Sequence, residues 1–329
     1  MTGTMLVDPA RLGEWLDARG LETGSPITVR PLAGGQSNAM FVIERASSRW
    51  VLRRPAQVAV ERADAGMHRE FRILRALAGT PVPHPEVVAF CADHAVLGRT
   101  FYLMEQVDGV SPLPAPAALD DEAGHAQIAY SMVDSLATLH EVDWRARGLA
   151  DLGRPEQFHE RQTSRWIRQL HSYQGRDLPG VGIVTTWLEE NRPTTFTPAL
   201  MHGDYHMLNV LVAPDAPGRV VAVLDWETAT IGDPLLDLAG FCEVWCAATG
   251  QGWPGRADLV ERYRGARGLD HIGDLAYYAV LYNFRLAVLL EGIHQRSLKD
   301  PSRPDMVETG ARAVLTLDRA IEVVAAQSS

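Results

Sequence analysis

Three residues, Asp204, Asn209 and Asp225, have the types and spacing to do chemistry together. Asp204 and Asn209 lie five positions apart in Met201-His202-Gly203-Asp204-Tyr205-His206-Met207-Leu208-Asn209, which runs into the apolar Val210-Leu211-Val212. Asp225 follows a second apolar run, Val221-Ala222-Val223-Leu224, and precedes Trp226-Glu227. The set suits phosphoryl transfer. One carboxylate accepts the proton of an attacking hydroxyl, while a carboxamide and a second carboxylate offer hard oxygens to Mg²⁺ against nucleotide phosphates. Each residue also has a plainer reading. Asp204 after Gly203 could form a turn, and Asn209 and Asp225 could close Asx turns.

The rest of the chain must position this loop. Residues 8–20 read as a short amphipathic helix carrying Leu12, Trp15 and Leu16. Strands are expected over 27–32, 40–44 and 50–53, with a glycine-bearing turn at 33–38, as an antiparallel three-strand start. Met67, Phe71, Leu74 and Leu77 predict one face of a helix over 61–78, which Pro81-Val82-Pro83-His84-Pro85 breaks. Two further strands, 87–91 and 100–104, are expected to form a hairpin looping near Leu97-Gly98-Arg99. Pro112, Pro114 and Pro116 mark a hinge. Beyond it helices are expected over 121–140, 160–171, 181–190, 235–248, 255–264, 270–294 and 306–326, with segment 199–230 the strand-like part.

The ordered pair His202-Gly203-Asp204-x-His206-x-x-Asn209 and Asp225-Trp226-Glu227 resembles the aminoglycoside phosphotransferase family, kinase-like small-molecule phosphotransferases that include choline and homoserine kinases. The similarity extends in weaker form from about Pro31 to the last helices. It implies an α+β, bilobal, protein-kinase-like fold. A small N-lobe, residues 1–107, with an antiparallel sheet plus helix would bind nucleotide. A larger, mostly helical C-lobe, residues 108–329, would carry the catalytic loop and acceptor site. The resemblance implies Asp204 as catalytic base, Asn209 and Asp225 as metal ligands, ATP and Mg²⁺ as cofactors, and a small-molecule hydroxyl as acceptor.

Further positions follow from the same resemblance. Gly34, Gly35, Ser37 and Asn38 match the loop that covers the phosphates. Arg53 stands where kinases place a strand lysine that contacts phosphate, with Glu70 as its partner; Arg54 is a rival for that task. Arg is not interchangeable with Lys, so this is a departure from the pattern. Met104, Glu105 and Val107 would carry the adenine. His202 and His206 would brace the loop, and Asp237 would cap its backbone or simply favour a helix N-terminus. Trp226-Glu227 stands where protein kinases have Phe-Gly, which argues against a protein kinase.

Val51-Leu52-Arg53-Arg54-Pro55 and the segment Phe158 to Trp166 also look like the branch related to kinase domains fused to acyl-CoA dehydrogenases. That resemblance implies a hydroxyacyl-CoA or similar hydroxylated acid as acceptor, its anions clamped by arginine. The rival reading makes Arg161, Arg165 and Arg168 ordinary surface partners of nearby glutamates. A catalytically inactive kinase fold that binds nucleotide is the alternative function, and Arg53 is the feature in its favour.

Composition narrows the field. A net charge of −10 disfavours binding to nucleic acid phosphates. The three cysteines, Cys91, Cys242 and Cys246, are too few for a disulfide framework. No apolar run reaches membrane-spanning length and the start lacks a secretory pattern, so the chain is expected to be cytoplasmic.

Overall fold

The computed structural model describes residues 6–32, 38–55, 63–299 and 306–327. Helix α1, Pro9–Asp17, starts where Asp8 accepts hydrogen bonds from the N–H groups of Ala10 and Arg11, with Pro9 at the first helical position. Strands β1 (Ile27–Leu32), β2 (Asn38–Arg45) and β3 (Ser48–Pro55) follow, then helix α2 (Ala63–Leu77), strand β4 (Val87–Cys91), the short helix α3 (His94–Leu97) and strand β5 (Phe101–Glu105). The five strands form one antiparallel sheet in the order β1-β2-β3-β5-β4. Helix α3 stands where a plain hairpin loop was expected. Its Asp93 N-cap and left-handed Gly98 C-cap supply the two ends of a single turn too short to show periodicity.

Alternation along the strands sorts the two faces of this sheet. Phe41, Ile43, Leu52, Phe101 and Leu103 join Leu12, Trp15 and Leu16 of α1 in one apolar cluster. Trp15 meets Phe101 edge-on at 4.9 Å between ring centroids. The intervening residues, Arg53, Tyr102 and Met104, therefore fall on the opposite face, where α2 packs. Met67, Glu70, Leu74 and Leu77 form the buried stripe of α2, so a carboxylate sits among its apolar positions.

The remaining elements are α4 (Glu122–His140), α5 (Phe158–Ser172), α6 (Val181–Glu190), β6 (Ala199–Met201), β7 (Val210–Val212), β8 (Val220–Val223), β9 (Thr230–Gly232), α7 (Leu235–Ala248), α8 (Arg256–Ala266), α9 (Ala276–Ser297) and α10 (Thr309–Gln327). Helix α9 starts later than the expected 270, because Asp274 accepts from the Ala276 N–H and fixes the N-terminus there.

By its contacts the chain divides into two compact units. The first comprises 1–119, 147–149 and 208–228; the second comprises 120–146, 150–207 and 229–329. This division does not follow a linear boundary at 107/108. The antiparallel pair β7–β8 belongs with the N-terminal sheet: Val110 and Val212 exchange backbone hydrogen bonds at 2.9 Å, and the Val223 N–H donates to Pro83 O at 2.9 Å. Gly109 makes this approach feasible, since a Cβ there would lie 2.7 Å from Val221 Cγ2 and 2.9 Å from Leu211 Cβ. The second unit is built around α9. Val280, Leu281, Phe284, Ala287 and Val288 are buried against α5, α6, α7 and α10. Among the described residues no helix is long and apolar enough to cross a membrane.

Candidate active site

In the first unit the pairing of β7 with β8 brings two expected site residues to one end of a two-stranded sheet. Met207–Asn209 is a 3₁₀ turn, β7 begins at Val210, and Asn209 sits just ahead of it. Val210 pairs with Val223, and the Leu224 N–H donates to Asn209 O at 2.8 Å. Asp225 follows directly, with its backbone in the left-handed region at φ 62°. A non-glycine residue held there is uncommon and is stabilised only by its surroundings.

Those surroundings are α2 and β3. The Trp226 N–H donates to Glu70 Oε1 at 3.3 Å, its indole N–H donates to Val223 O at 2.9 Å, and Arg69 Nη1 donates to Glu227 O at 3.0 Å. Arg53 of β3 connects the carboxylates. Its Nε lies 3.1 Å from Glu70 Oε2, its Nη2 donates to Asp225 Oδ1 at 2.8 Å, and Nη2 lies 3.9 Å from Glu227 Oε2. Arg53 and Glu70 are almost wholly buried. Burial penalises the Arg53 cation, but Glu70, Tyr102 and Asp225 together outweigh it and raise its pKa. Burial, opposed by the Arg53 charge, pushes the Glu70 carboxyl up. Tyr102 of β5 is the cross-strand neighbour of Arg53.

Arg54 is on the other face of β3, where it donates to Leu6 O. Strand alternation thus puts Arg53, and not Arg54, beside Glu70 and Asp225.

A cavity of about 300 Å³ opens beside this cluster within the first unit. Asn38, Met40, Met104, Asn209 and Asp225 line it, with Leu208 and Glu227 at the same wall. Glu105 and Val107 are outside the lining. The Glu105 N–H already donates to Glu86 O at 2.8 Å and the Gln106 N–H to Arg49 O at 3.2 Å. The backbone N–H groups of Glu105 and Gln106 are thus already taken within the first unit. Gly34, Gly35 and Ser37 lie outside the described residues.

In the second unit, Asp204 follows Gly203, whose φ of 82° makes the turn that a side chain would resist. The loop is held from beneath. Asp237, in the first turn of α7, accepts from the His202 N–H at 2.6 Å and from the Gly203 N–H at 2.9 Å. Behind it, His140 Nε2 lies 3.4 Å from Asp237 Oδ2, and His140 Nδ1 lies 2.6 Å from the Tyr263 hydroxyl. An ionised carboxylate only accepts, so Nε2 carries the proton and the tyrosine donates to Nδ1. The Tyr205 hydroxyl donates to Met132 O at 2.7 Å, and Arg285 Nη2 donates to Gly203 O. Asp237 thus caps the loop as the resemblance implies. His140, Tyr263 and Arg285 were not legible as part of it, since nothing in their spacing ties them to residues 202–204.

Asp204 itself is partly exposed. His206 Nε2 lies 3.4 Å from its Oδ2, and the Asp204 N–H donates to His202 Nδ1 at 3.3 Å. Burial would raise its carboxyl, but the hydrogen bond and charge of His206, with Arg285 and His202, hold it below the ordinary value.

An antiparallel sheet with a buried cation–glutamate pair, and a helical unit with a capped Asp-bearing loop, define a kinase-like phosphotransferase. The comparisons with known proteins carry this further. The profile of the phosphotransferase enzyme family matches residues 28–278, and the chain belongs to that family. A protein of Ralstonia eutropha JMP134 described as a candidate aminoglycoside phosphotransferase has a similar structure, with TM-score 0.82, 29% identity, and 96% of this chain and 98% of that one covered. The GDP complex of aminoglycoside 2'-phosphotransferase-IIIa shares the fold at TM-score 0.65 and 15% identity, over 96% of this chain and 99% of that one. Acyl-CoA dehydrogenase family member 11 of Gallus gallus is 32% identical over 291 residues, covering 83% of this chain and 37% of the relative. The chain spans about a third of the length of the curated relatives it matches, 29% to 39% among the first three.

Proposed function

We propose that this protein is an ATP- and Mg²⁺-dependent O-phosphotransferase whose acceptor is a hydroxylated acid or its coenzyme A thioester. The observation that carries the nucleotide reading is the Arg53 cation held between Glu70 and Asp225 beside a cavity of about 300 Å³, with Asn209 at the matching end of the paired strand. The acceptor class is supported by the relatives named acyl-CoA dehydrogenase family members and by the arginine-rich helix α5.

In this reading residues 1–107 bind the nucleotide, and 108–329 carry the catalytic loop, with the metal-binding residues, and the acceptor site. Asn209 and Asp225 hold the metal. Both are hard oxygen donors, and the remaining positions of Mg²⁺ would go to phosphate oxygens and water; among the described residues no group of three or more His, Cys, Asp or Glu is placed to hold a metal by itself. When bound, Mg²⁺ neutralises charge on the phosphates. Arg53, oriented by Glu70, meets phosphate oxygens, with Asn38 at the start of β2 lining the same cavity; Gly34, Gly35 and Ser37, outside the described residues, keep the phosphate-covering role that the resemblance implies. Met104 gives the base an apolar wall, with Glu105 and Val107 at its edge. Asp204 takes the proton of the acceptor hydroxyl as that oxygen attacks phosphorus, and His206 keeps the carboxylate ionised and aimed. With net charge −10 and three free cysteines, the reading places the protein in the cytoplasm, acting on small molecules rather than nucleic acid.

The test is a thermal-shift titration with ATP, GTP and AMP-PNP with and without Mg²⁺, followed by phosphate transfer to hydroxylated acids and their thioesters. A Mg²⁺-dependent rise in Tm with transfer supports the reading. Nucleotide binding with no transfer to any acceptor would favour an inactive kinase fold, for which the Arg53–Asp225 pair is the specific ground.

A further inference from the structure

Two guanidiniums share one indole in the second unit. Arg165 Cζ lies 5.1 Å, and Arg285 Cζ 5.6 Å, from the centre of the Trp166 ring. Arg165 and Trp166 belong to α5 and Arg285 to α9. Arg285 also donates to Gly203 O, the carbonyl directly before Asp204, so the pair is tied to the catalytic loop.

What sets these arginines apart is that neither forms an ion pair among the described residues, although the Arg285 charge acts on the Asp204 carboxylate. Elsewhere in the same unit Arg176 pairs with Glu291, Arg256 with Glu243, Arg262 with Asp134 and Arg264 with Glu261. Among the described residues no carboxylate forms an ion pair with Arg165 or Arg285, in a chain of net charge −10. Arg161, one turn earlier on α5, adds a third positive charge while its own N–H groups go to the carbonyls of Glu156 and Arg154. The expected pairing of these arginines with nearby glutamates is thus not what forms. Burial and then the charges of Arg285 and Arg161 lower the pKa of Arg165, so the like charges act on one another. Among the described residues the buried Trp166 indole N–H has no hydrogen-bond partner. Crowded cations with forked donors and a spare N–H make a site for an oxyanion.

We propose that Arg165 and Arg285, on the two sides of α5 and α9 that meet at Trp166, bind an oxyanion of the acceptor, a carboxylate or a phosphate, and thereby select anionic over cationic hydroxyl compounds. This rests on the phosphotransferase reading above and names the residues that set its acceptor preference. Arg285 has a second task as a positioning residue, because its bond to Gly203 O helps fix the loop.

The test compares wild type with Arg165→Ala, Arg165→Glu and Arg285→Lys. Acceptors are 3-hydroxybutyrate, 3-hydroxybutyryl-CoA, the neutral 3-hydroxybutyramide and kanamycin. We expect wild type to prefer one of the two anionic acceptors over the amide by at least about tenfold in kcat/KM, the scale of one charge-assisted hydrogen bond. Preference for the free acid assigns the anion to the carboxylate; preference for the thioester assigns it to the phosphates. Arg165→Glu should raise the KM for the preferred anion with little change in kcat and move the ratio toward kanamycin. A structural role would not produce that reversal. The Mg-ATP thermal shift controls for folding in each variant. An Arg165→Glu protein with wild-type acceptor ratios overturns the proposal. If wild type transfers phosphate to none of these compounds, the phosphotransferase reading fails separately, and the anion site is then judged by thermal shift with 3-hydroxybutyrate and with inorganic pyrophosphate. A shift lost in Arg165→Glu sustains the site, and no shift in wild type removes it.

Discussion

Arg53 donates from Nη2 to Asp225 Oδ1 at 2.8 Å while its Nε faces Glu70 Oε2 at 3.1 Å. One buried cation therefore sets the position of both a helix carboxylate and the carboxylate proposed to bind metal. The same pair also explains why Arg in place of the usual strand lysine is tolerable: the guanidinium fork reaches two acceptors at once.

Removing that cation strands Glu70 in an apolar environment. Arg53→Met should lower stability by about 3–5 kcal/mol, the scale of a broken buried ion pair. Denaturant unfolding of Arg53→Met, Glu70→Leu and the double variant checks this. The double variant should be more stable than Arg53→Met alone, because the uncompensated charge is gone. Arg53→Lys should fold and keep part of the nucleotide affinity.

Asp204→Asn should lower kcat by roughly 10²–10⁴-fold, the contribution of a general base, with nucleotide affinity unchanged. Asp225→Asn should instead weaken the Mg²⁺-dependent part of the nucleotide thermal shift. The two variants separate proton acceptance from metal binding, and near-wild-type turnover by Asp204→Asn would falsify the base assignment.

Much of this arrangement is legible in the residues. Asp204, Asn209 and Asp225 can be singled out because type, spacing and apolar flanks agree, and strand β3 and helix α2 follow from period-2 and period-3.6 patterns. Other parts are hidden for physical reasons. The choice between Arg53 and Arg54 depends on which face of β3 packs on α2. His140 is one histidine at the end of α4, and its role exists only because α4, α7 and α8 converge on Asp237. The grouping of β7–β8 with the N-terminal sheet depends on the close approach at Gly109, which no local pattern signals.

The pH dependence of turnover should respond to His206. Its hydrogen bond and charge act against the effect of burial to hold Asp204 below the ordinary carboxylate value of 3.8. With a depressed pKa, the base stays ionised as pH falls, so the acid limb due to Asp204 lies below that value. His206→Ala removes the lowering contribution and should move that limb to higher pH. Profiles of kcat against pH for the two proteins check this, and superimposable acid limbs would show that His206 does not tune the base.

Stability should fall on mild acidification through His140. Burial lowers its pKa from 6.5, despite the hydrogen bond to Asp237, so the folded protein keeps the imidazole neutral. Above 6.5 the histidine is neutral in both folded and unfolded chains and contributes no pH dependence. Below 6.5 the unfolded chain binds a proton that the folded one refuses, so stability declines as pH falls, until the folded pKa is reached. A neutral replacement that cannot titrate, His140→Gln, should flatten the dependence of Tm on pH between about 6.5 and 5 while lowering Tm at pH 7.5, because the Tyr263–His140–Asp237 chain is weakened. Loss of that chain should also loosen the His202 and Gly203 anchors on Asp237. His140→Gln should then lose kcat at pH 7.5 with nucleotide affinity retained. An unchanged kcat alongside a lowered Tm would confine His140 to stability, with Asp237 and Arg285 holding the loop without it.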